Sequence, residues 1–180
     1  MKVKLETEGL FLRPLAGRHL SRILDIWTQP AVRLHLWGDK VIGEERAALE
    51  IVRSKESFRV SGFGHWAVRR QEKRRAIGSC GLLRVPHTED LELVYCIDPA
   101  LWNHGYGTQA ARAVLAFAFD ELGLPLVHGR CARDNIASLR VLEKIGMRPG
   151  RPHPHEECEG AHLSISRDEY LGADPGGFGG

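Results

Sequence analysis

Apolar residues along the chain change their spacing several times, and each change marks an element. Gly9 to Pro14 reads as an opening strand stopped by its proline. From about Gly17 onward, Leu20, Ile23, Leu24 and Trp27 recur at helical spacing, and Pro30 closes that unit. A short helix over Val32 to Trp37 follows, then a longer one from Glu44 to about Phe58 whose expected stripe is Ala47, Ala48, Ile51 and Val52. The spacing then drops to two. Gly64 to Arg69 and Ala76 to Val85 predict a hairpin across the charged turn Arg70 to Arg75. After a turn at His87 to Asp90, Leu91 to Ile97 predicts a third neighbouring strand, which makes an antiparallel meander.

Beyond Asp98-Pro99 the pattern alternates. Thr108 to Leu122 is the clearest helix, with Ala111, Val114, Leu115, Ala118 and Leu122 on one face and Gly123 as the stop. Leu124 to Cys131 reads as a strand, Asp134-Asn135 as a cap signal, and Ile136 to Ile145 as a helix ended by Gly146. His162 to Arg167 reads as a last strand. Gly172 to Gly180, with five glycines and a proline, predicts a disordered tail after one domain over 1–171.

Composition narrows the function classes. A chain of 180 residues, 43% hydrophobic and 27% charged, suits one globular domain with a real core. Lys plus Arg number 25 against 23 acids, a net charge of +2, which gives no footprint for nucleic acid. The apolar run Ala113 to Phe119 falls far below the roughly 18 residues of a membrane span, and the first residues, through Glu8, hold no apolar signal core. The expectation is a cytoplasmic protein without a membrane partner. Cysteines at 80, 96, 131 and 158 form no C-x-x-C pair, so reduced thiols are expected. His153, His155, Cys158 and His162 match no zinc spacing, and no metal is expected.

The segment Leu101-Trp-Asn-His-Gly-Tyr-Gly-Thr-Gln-Ala110 is a glycine-bearing loop opening into a helix. Such a turn aims unpaired N–H groups and the positive helix end at an anion, so it suits phosphate. A nucleotide P-loop would need Lys where Gly107 precedes Thr108. Gly105-x-Gly107-x-x-Ala110 matches the dinucleotide pattern, yet Val127, His128, Gly129 and Arg130 stand where its acidic residue belongs.

Several motifs taken together resemble one family. These are Glu92 and Tyr95 on a strand, Asp98-Pro99, Trp102 through Ala110, a further strand, then Asp134-Asn-Ile-Ala-Ser138 and Val141-Leu-Glu-Lys-Ile-Gly-Met147. In this order and spacing, from Leu10 to about Tyr170, the chain resembles the GNAT acetyltransferases, with the ribosomal-protein N-acetyltransferase branch as the nearest likeness. One departure stands out: Trp102 occupies the position where the general signature has Gln or Arg.

The resemblance implies an α+β fold, a mixed and mostly antiparallel sheet flanked by helices, with acetyl-CoA as co-substrate. It implies pyrophosphate on the amides of Asn103, His104, Gly105, Tyr106, Gly107 and Thr108, pantetheine beside Cys96 and Ile97, and Asn135 and Ser138 near the sulfur end. Catalysis would then fall to Glu92, taking the amine proton through water, and to Ser138, assisting the departing thiolate. A strand amide near Cys96 to Ile97 would hold the oxyanion. Trp27, Trp37, His65, Trp66 and Tyr95 are the candidates for an acceptor site suited to a peptide N-terminus or a modest small-molecule amine. Each has a plainer reading: Glu92 as a solvent-facing strand residue, Ser138 as a first-turn serine satisfying backbone, the aromatic residues as core. A CoA-binding module without turnover and a different nucleotide-dependent enzyme are the rival classes. Monomer and homodimer both fit.

Overall fold

The computed structural model describes residues 3–150 and 160–172. The strands are β1 (Leu5–Glu6), β2 (Leu10–Pro14), β3 (His65–Arg70), β4 (Ala76–Arg84), β5 (Leu91–Ile97), β6 (Leu126–Cys131), β7 (Arg148–Pro149) and β8 (Ala161–Ser166). They form one sheet in the order β1-β2-β3-β4-β5-β6-β8-β7. Every neighbouring pair is antiparallel except β5 and β6, which run parallel. The helices are α1 (Leu20–Trp27), α2 (Pro30–Leu36), α3 (Glu44–Ser61), α4 (Tyr106–Ala116), α5 (Ile136–Lys144) and α6 (Arg167–Gly172). This is the α+β arrangement expected from the sequence.

Alternation along the strands sorts the core into two layers. Leu10, Leu12, Trp66, Val68, Cys80, Leu82, Leu91 and Leu93 bury one face of the sheet with Ala110, Ala111, Val114 and Leu115 of α4. The opposite face carries Ala67 and Cys96 under Ile23, Ile26, Trp27, Val32, Ala47 and Ile51 of α1, α2 and α3. Arg22 of α1 and Gln29 both donate to the Asp98 carboxylate, which pins the first helix to the end of β5.

Several local expectations are corrected. Pro30 starts α2 instead of only closing α1: it sits in the first turn, where its missing N–H costs nothing. In α3 the buried face is Ala47, Ile51 and Ser54, and Val52 is exposed. Spacings of four and three follow the helix more faithfully than adjacent pairs do. The long helix begins at Tyr106, two residues early, and continues past Ala116 through a π turn over Phe117–Glu121. The short edge strands β1 and β7, and α6, are too brief to leave a period in the sequence. His153, His155, Cys158 and the tail beyond Gly172 lie outside the described residues.

Candidate active site

The site begins where β5 and β6 part. β5 pairs with β4 along its whole length, from Gly78 opposite Ile97 to Arg84 opposite Leu91, but with β6 only at Glu92–His128 and Leu93–Gly129. Just beyond the two ends of β5, the Val85 N–H donates to the Asp90 carbonyl (2.9 Å) and the Asp98 N–H to the Ile77 carbonyl (2.8 Å). Hydrogen bonding alternates along a strand, so the even-numbered residues of β5 spend their groups on β4 and the odd ones face β6. The Ile97 carbonyl accepts the Trp102 indole N–H at 2.7 Å. The Tyr95 N–H and C=O and the Ile97 N–H therefore face the gap left by β6.

Cys96 is a correction. Its backbone belongs to the β4 ladder and its buried thiol lies on the other face, 3.4 Å from Ser79 Oγ, so contact along the gap falls to Tyr95 and Ile97. Trp102 acquires a structural role: its indole braces the glycine loop against the end of β5.

The loop then turns into α4. Asn103 (φ 63°) and Gly105 (φ 76°) are both left-handed. The Gln109 N–H donates to the Gly105 carbonyl (2.9 Å), so the N–H groups of Tyr106, Gly107 and Thr108 precede any intrahelical partner. At Gly105 a Cβ would meet nothing within 4 Å, so backbone conformation, not space, requires glycine there. A Cβ at Gly107 would make only ordinary 3.8 Å contacts with Ile97 and Val141. His104 is tied back to the Trp102 carbonyl through Nδ1 (2.7 Å) and stacks on Tyr106, with ring centroids 5.9 Å apart. A cavity of about 800 Å³ opens from His104, Gly105 and Thr108 between β1 and α4, with Lys4, Arg112 and Lys144 on its wall.

Across the gap, Asn135 caps α5, its Oδ1 accepting the Ser138 N–H at 3.1 Å. The serine hydroxyl is thus not the cap. Ser138 Oγ lies 2.8 Å from Tyr95 Oη, which also donates to the Ser138 carbonyl at 3.0 Å. Burial pushes the Tyr95 phenol upward. Burial also raises the Cys131 thiol, an effect the Ser138 side chain opposes through a hydrogen bond. Tyr95 was expected among the acceptor residues; the structure sets its hydroxyl on the α4–α5 face, against Ser138.

The opposite face holds the other candidates. Glu92 is far from a plain solvent-facing residue: its side chain is 12% exposed and Oε2 lies 3.4 Å from Arg130 Nη2. Beside it, Asp90 Oδ2 lies 3.4 Å from His128 Nε2. The register puts His65, Gly81 and Val94 in one row across β3 to β5. A Cβ at Gly81 would come to 2.5 Å from the Gly64 carbonyl oxygen, 2.7 Å from His65 Cα and 3.0 Å from His65 Cγ, so the glycine lets the chain at Gly64 and His65, imidazole included, close on β4. Among the described residues Nδ1 of that ring is buried without a partner, and burial lowers the pKa to about 4, which keeps the ring neutral. Trp27 and Trp37 meet edge to face with centroids 5.6 Å apart, and the Trp27 indole donates to Ser79 Oγ at 3.3 Å.

Trp66 is the second correction. It follows His65 in the strand, so it points to the other face, where it is fully buried against Phe58 and Phe117 and donates to the Val3 carbonyl at 2.8 Å. It is core and cannot line the same pocket as His65. Arg130 and Cys131 escaped the sequence reading. The alternation of Val127, Gly129 and Cys131 against His128 and Arg130 could have flagged them once β6 is placed beside β5.

Comparison with known proteins agrees with this geometry. Residues 9–148 match the GNAT acetyltransferase domain. An FsC-acetyl coenzyme A-N(2)-transacetylase from Aspergillus fumigatus is 27% identical over an aligned length of 184 residues, covering 93% of this chain and 77% of its own. Among solved structures, an acetyltransferase from Agrobacterium tumefaciens is similar with a TM-score of 0.78 at 24% identity, covering 90% of this chain and 93% of that one. A ribosomal-protein-alanine acetyltransferase from Vibrio fischeri is similar with a TM-score of 0.73 at 16% identity, covering 94% and 99%. With a matching domain over most of its length and the parted strands and helix-opening loop in place, the chain belongs to the GNAT acetyltransferase family.

Proposed function

We propose that the protein moves the acetyl group of acetyl-CoA directly onto a primary amine, most suitably a peptide N-terminus or a modest small-molecule amine. The observation that carries this reading is the gap beside β5. Tyr95 and Ile97 present backbone groups there that an amide-bearing pantetheine can pair with as an added strand, and the α4 amides stand ready for phosphate at one end. The relative from Aspergillus fumigatus, whose name specifies acetyl coenzyme A and an N-acetyl transfer, supports the same donor and acceptor classes.

Aminolysis of a thioester needs a neutral amine, a place for the oxyanion and help for the thiolate. The amine nitrogen bonds to the thioester carbon as the carbon–sulfur bond breaks. Glu92, on the α1–α3 face, collects the amine proton through water, and Arg130 fixes the orientation of its carboxylate. The N–H of Tyr95 or Ile97 holds the oxyanion, and the Ser138 hydroxyl donates toward sulfur from the other face. No covalent bond to the enzyme is required.

The acceptor floor is no open acidic groove: Glu92 is matched by Arg130, and Asp90 Oδ2 stands 3.4 Å from the His128 imidazole. Such a floor does not concentrate polycations, so spermine and aminoglycosides should be poor acceptors. The test is release of CoA from acetyl-CoA across a panel of short peptides with free N-termini, simple amines, spermine and an aminoglycoside. Turnover of N-terminal peptides or simple amines supports the reading. Efficient use of the polycations alone would reverse the acceptor assignment, and CoA binding without any acetylated product would favour a regulatory module.

A further inference from the structure

We propose that Tyr95 is a positioning residue that aims the Ser138 hydroxyl into the gap between β5 and β6. The inference rests on the reading that Ser138 assists the departing sulfur, and it adds a residue that the reaction itself does not single out.

A serine hydroxyl has one proton and two acceptor sites, and left alone it rotates among them. Tyr95 Oη stands 2.8 Å from Ser138 Oγ and 3.0 Å from the Ser138 carbonyl, but it has a single proton to give. That carbonyl lies in the first turn of α5, where the N–H four residues on already serves it. A carbonyl keeps a second lone pair beside that bond, so the tyrosine proton goes either to the carbonyl or to Oγ, and only the second choice releases the serine proton. When Tyr95 donates to Oγ, it fills one lone pair of the hydroxyl. The serine proton is then left for a third group. Tyr95 comes from β5 and α5 itself packs on β6, so Ser138 sits over the place where those strands part, which is where a thioester laid along β5 would end.

In the opposite arrangement the serine proton turns onto Tyr95 and nothing is offered to the gap. A phenylalanine at 95 fills the same space and cannot hold the serine in either state. Because its burial holds the phenol proton firmly, Tyr95 donates a hydrogen bond and keeps its proton throughout. Ser138 likewise donates to the developing thiolate without a net transfer from Tyr95, so the charge balance of the reaction is unchanged.

The experiment is a double-mutant cycle on CoA release from acetyl-CoA, with the best acceptor of the panel above and with water as the acceptor. The chains compared are wild type, Tyr95→Phe, Ser138→Ala and the double variant. Melting temperature and CoA affinity are measured for each, so that folding and cofactor binding are read separately from turnover. Tyr95→Phe should lower kcat about tenfold, the scale of one directed hydrogen bond, with KM for acetyl-CoA unchanged. In the Ser138→Ala background the same change should cost less than twofold.

An equal loss in both backgrounds would show that Tyr95 acts without Ser138 and would overturn the inference. So would an unchanged kcat in Tyr95→Phe while Ser138→Ala is impaired. If Ser138→Ala itself turns over normally, the role given to Ser138 in the proposed reaction fails, and the inference fails with it.

Discussion

His65 offers a prediction whose size follows from the fold. The imidazole is packed over Gly81 with Nδ1 buried and, among the described residues, unpaired, and burial lowers its pKa from 6.5 to about 4. In the unfolded chain the ring takes up a proton as pH falls through 6.5, whereas in the folded chain it waits until about 4. Between these values the unfolded state binds more protons. The stability associated with the neutral ring is therefore complete above pH 6.5 and lost progressively as pH falls toward 4. At about 1.4 kcal/mol per pKa unit, the loss at pH 5 is about 2 kcal/mol, an upper figure because the residue retains some contact with solvent. The assay is urea unfolding of wild type and His65→Gln at pH 7.5 and pH 5. Glutamine does not titrate, and the backbone N–H of residue 65 keeps its 2.8 Å bond to Ser54 Oγ. Wild type should lose about 2 kcal/mol more than the variant between the two conditions. Parallel losses in the two proteins would show that the imidazole is not held neutral by its surroundings.

Three further outcomes are expected. Gly105→Val should abolish the rise in melting temperature caused by CoA, because a β-branched residue resists the left-handed conformation at φ 76°, while Gly107→Ala should keep that shift. Glu92→Gln should lower kcat/KM about 10²-fold or more near neutrality on a confirmed acceptor, with the deficit shrinking as pH approaches the pKa of the amine; a small loss at every pH would leave Glu92 a strand residue paired with Arg130. Trp66→Ala should cost about 3–5 kcal/mol in denaturant unfolding, since it empties a fully buried site between Phe58 and Phe117, and a cost below about 1 kcal/mol would return Trp66 to the acceptor candidates.

The order of elements and the glycine loop were legible because they rest on local rules: period two in β3 to β5, a helical stripe in α4, and a cap at Asn135. What local rules do not carry is which face of the sheet a residue meets. His65 and Trp66 are neighbours in the chain and looked like one pocket, yet the pleat sends them to opposite layers. Tyr95 and Glu92 are likewise three apart on β5 and work on opposite faces, one toward Ser138 and one toward Arg130. Nor could the sequence tell that Cys96 spends its amide on β4 while Tyr95 and Ile97 do not, because that depends on where β6 stops pairing. Trp102, a departure from the family signature, makes sense only once its indole is seen on the Ile97 carbonyl.

The central claim is that acetyl-CoA lies along β5 in the gap left by β6, and residue-resolved amide hydrogen exchange with and without CoA tests it most directly. CoA should slow exchange at Tyr95 and Ile97, whose N–H groups face the gap, together with Tyr106 to Thr108 at the start of α4. Cys96, already in the β4 ladder, should change little. Saturating CoA that leaves Tyr95 and Ile97 exchanging at their free rates would contradict the claim.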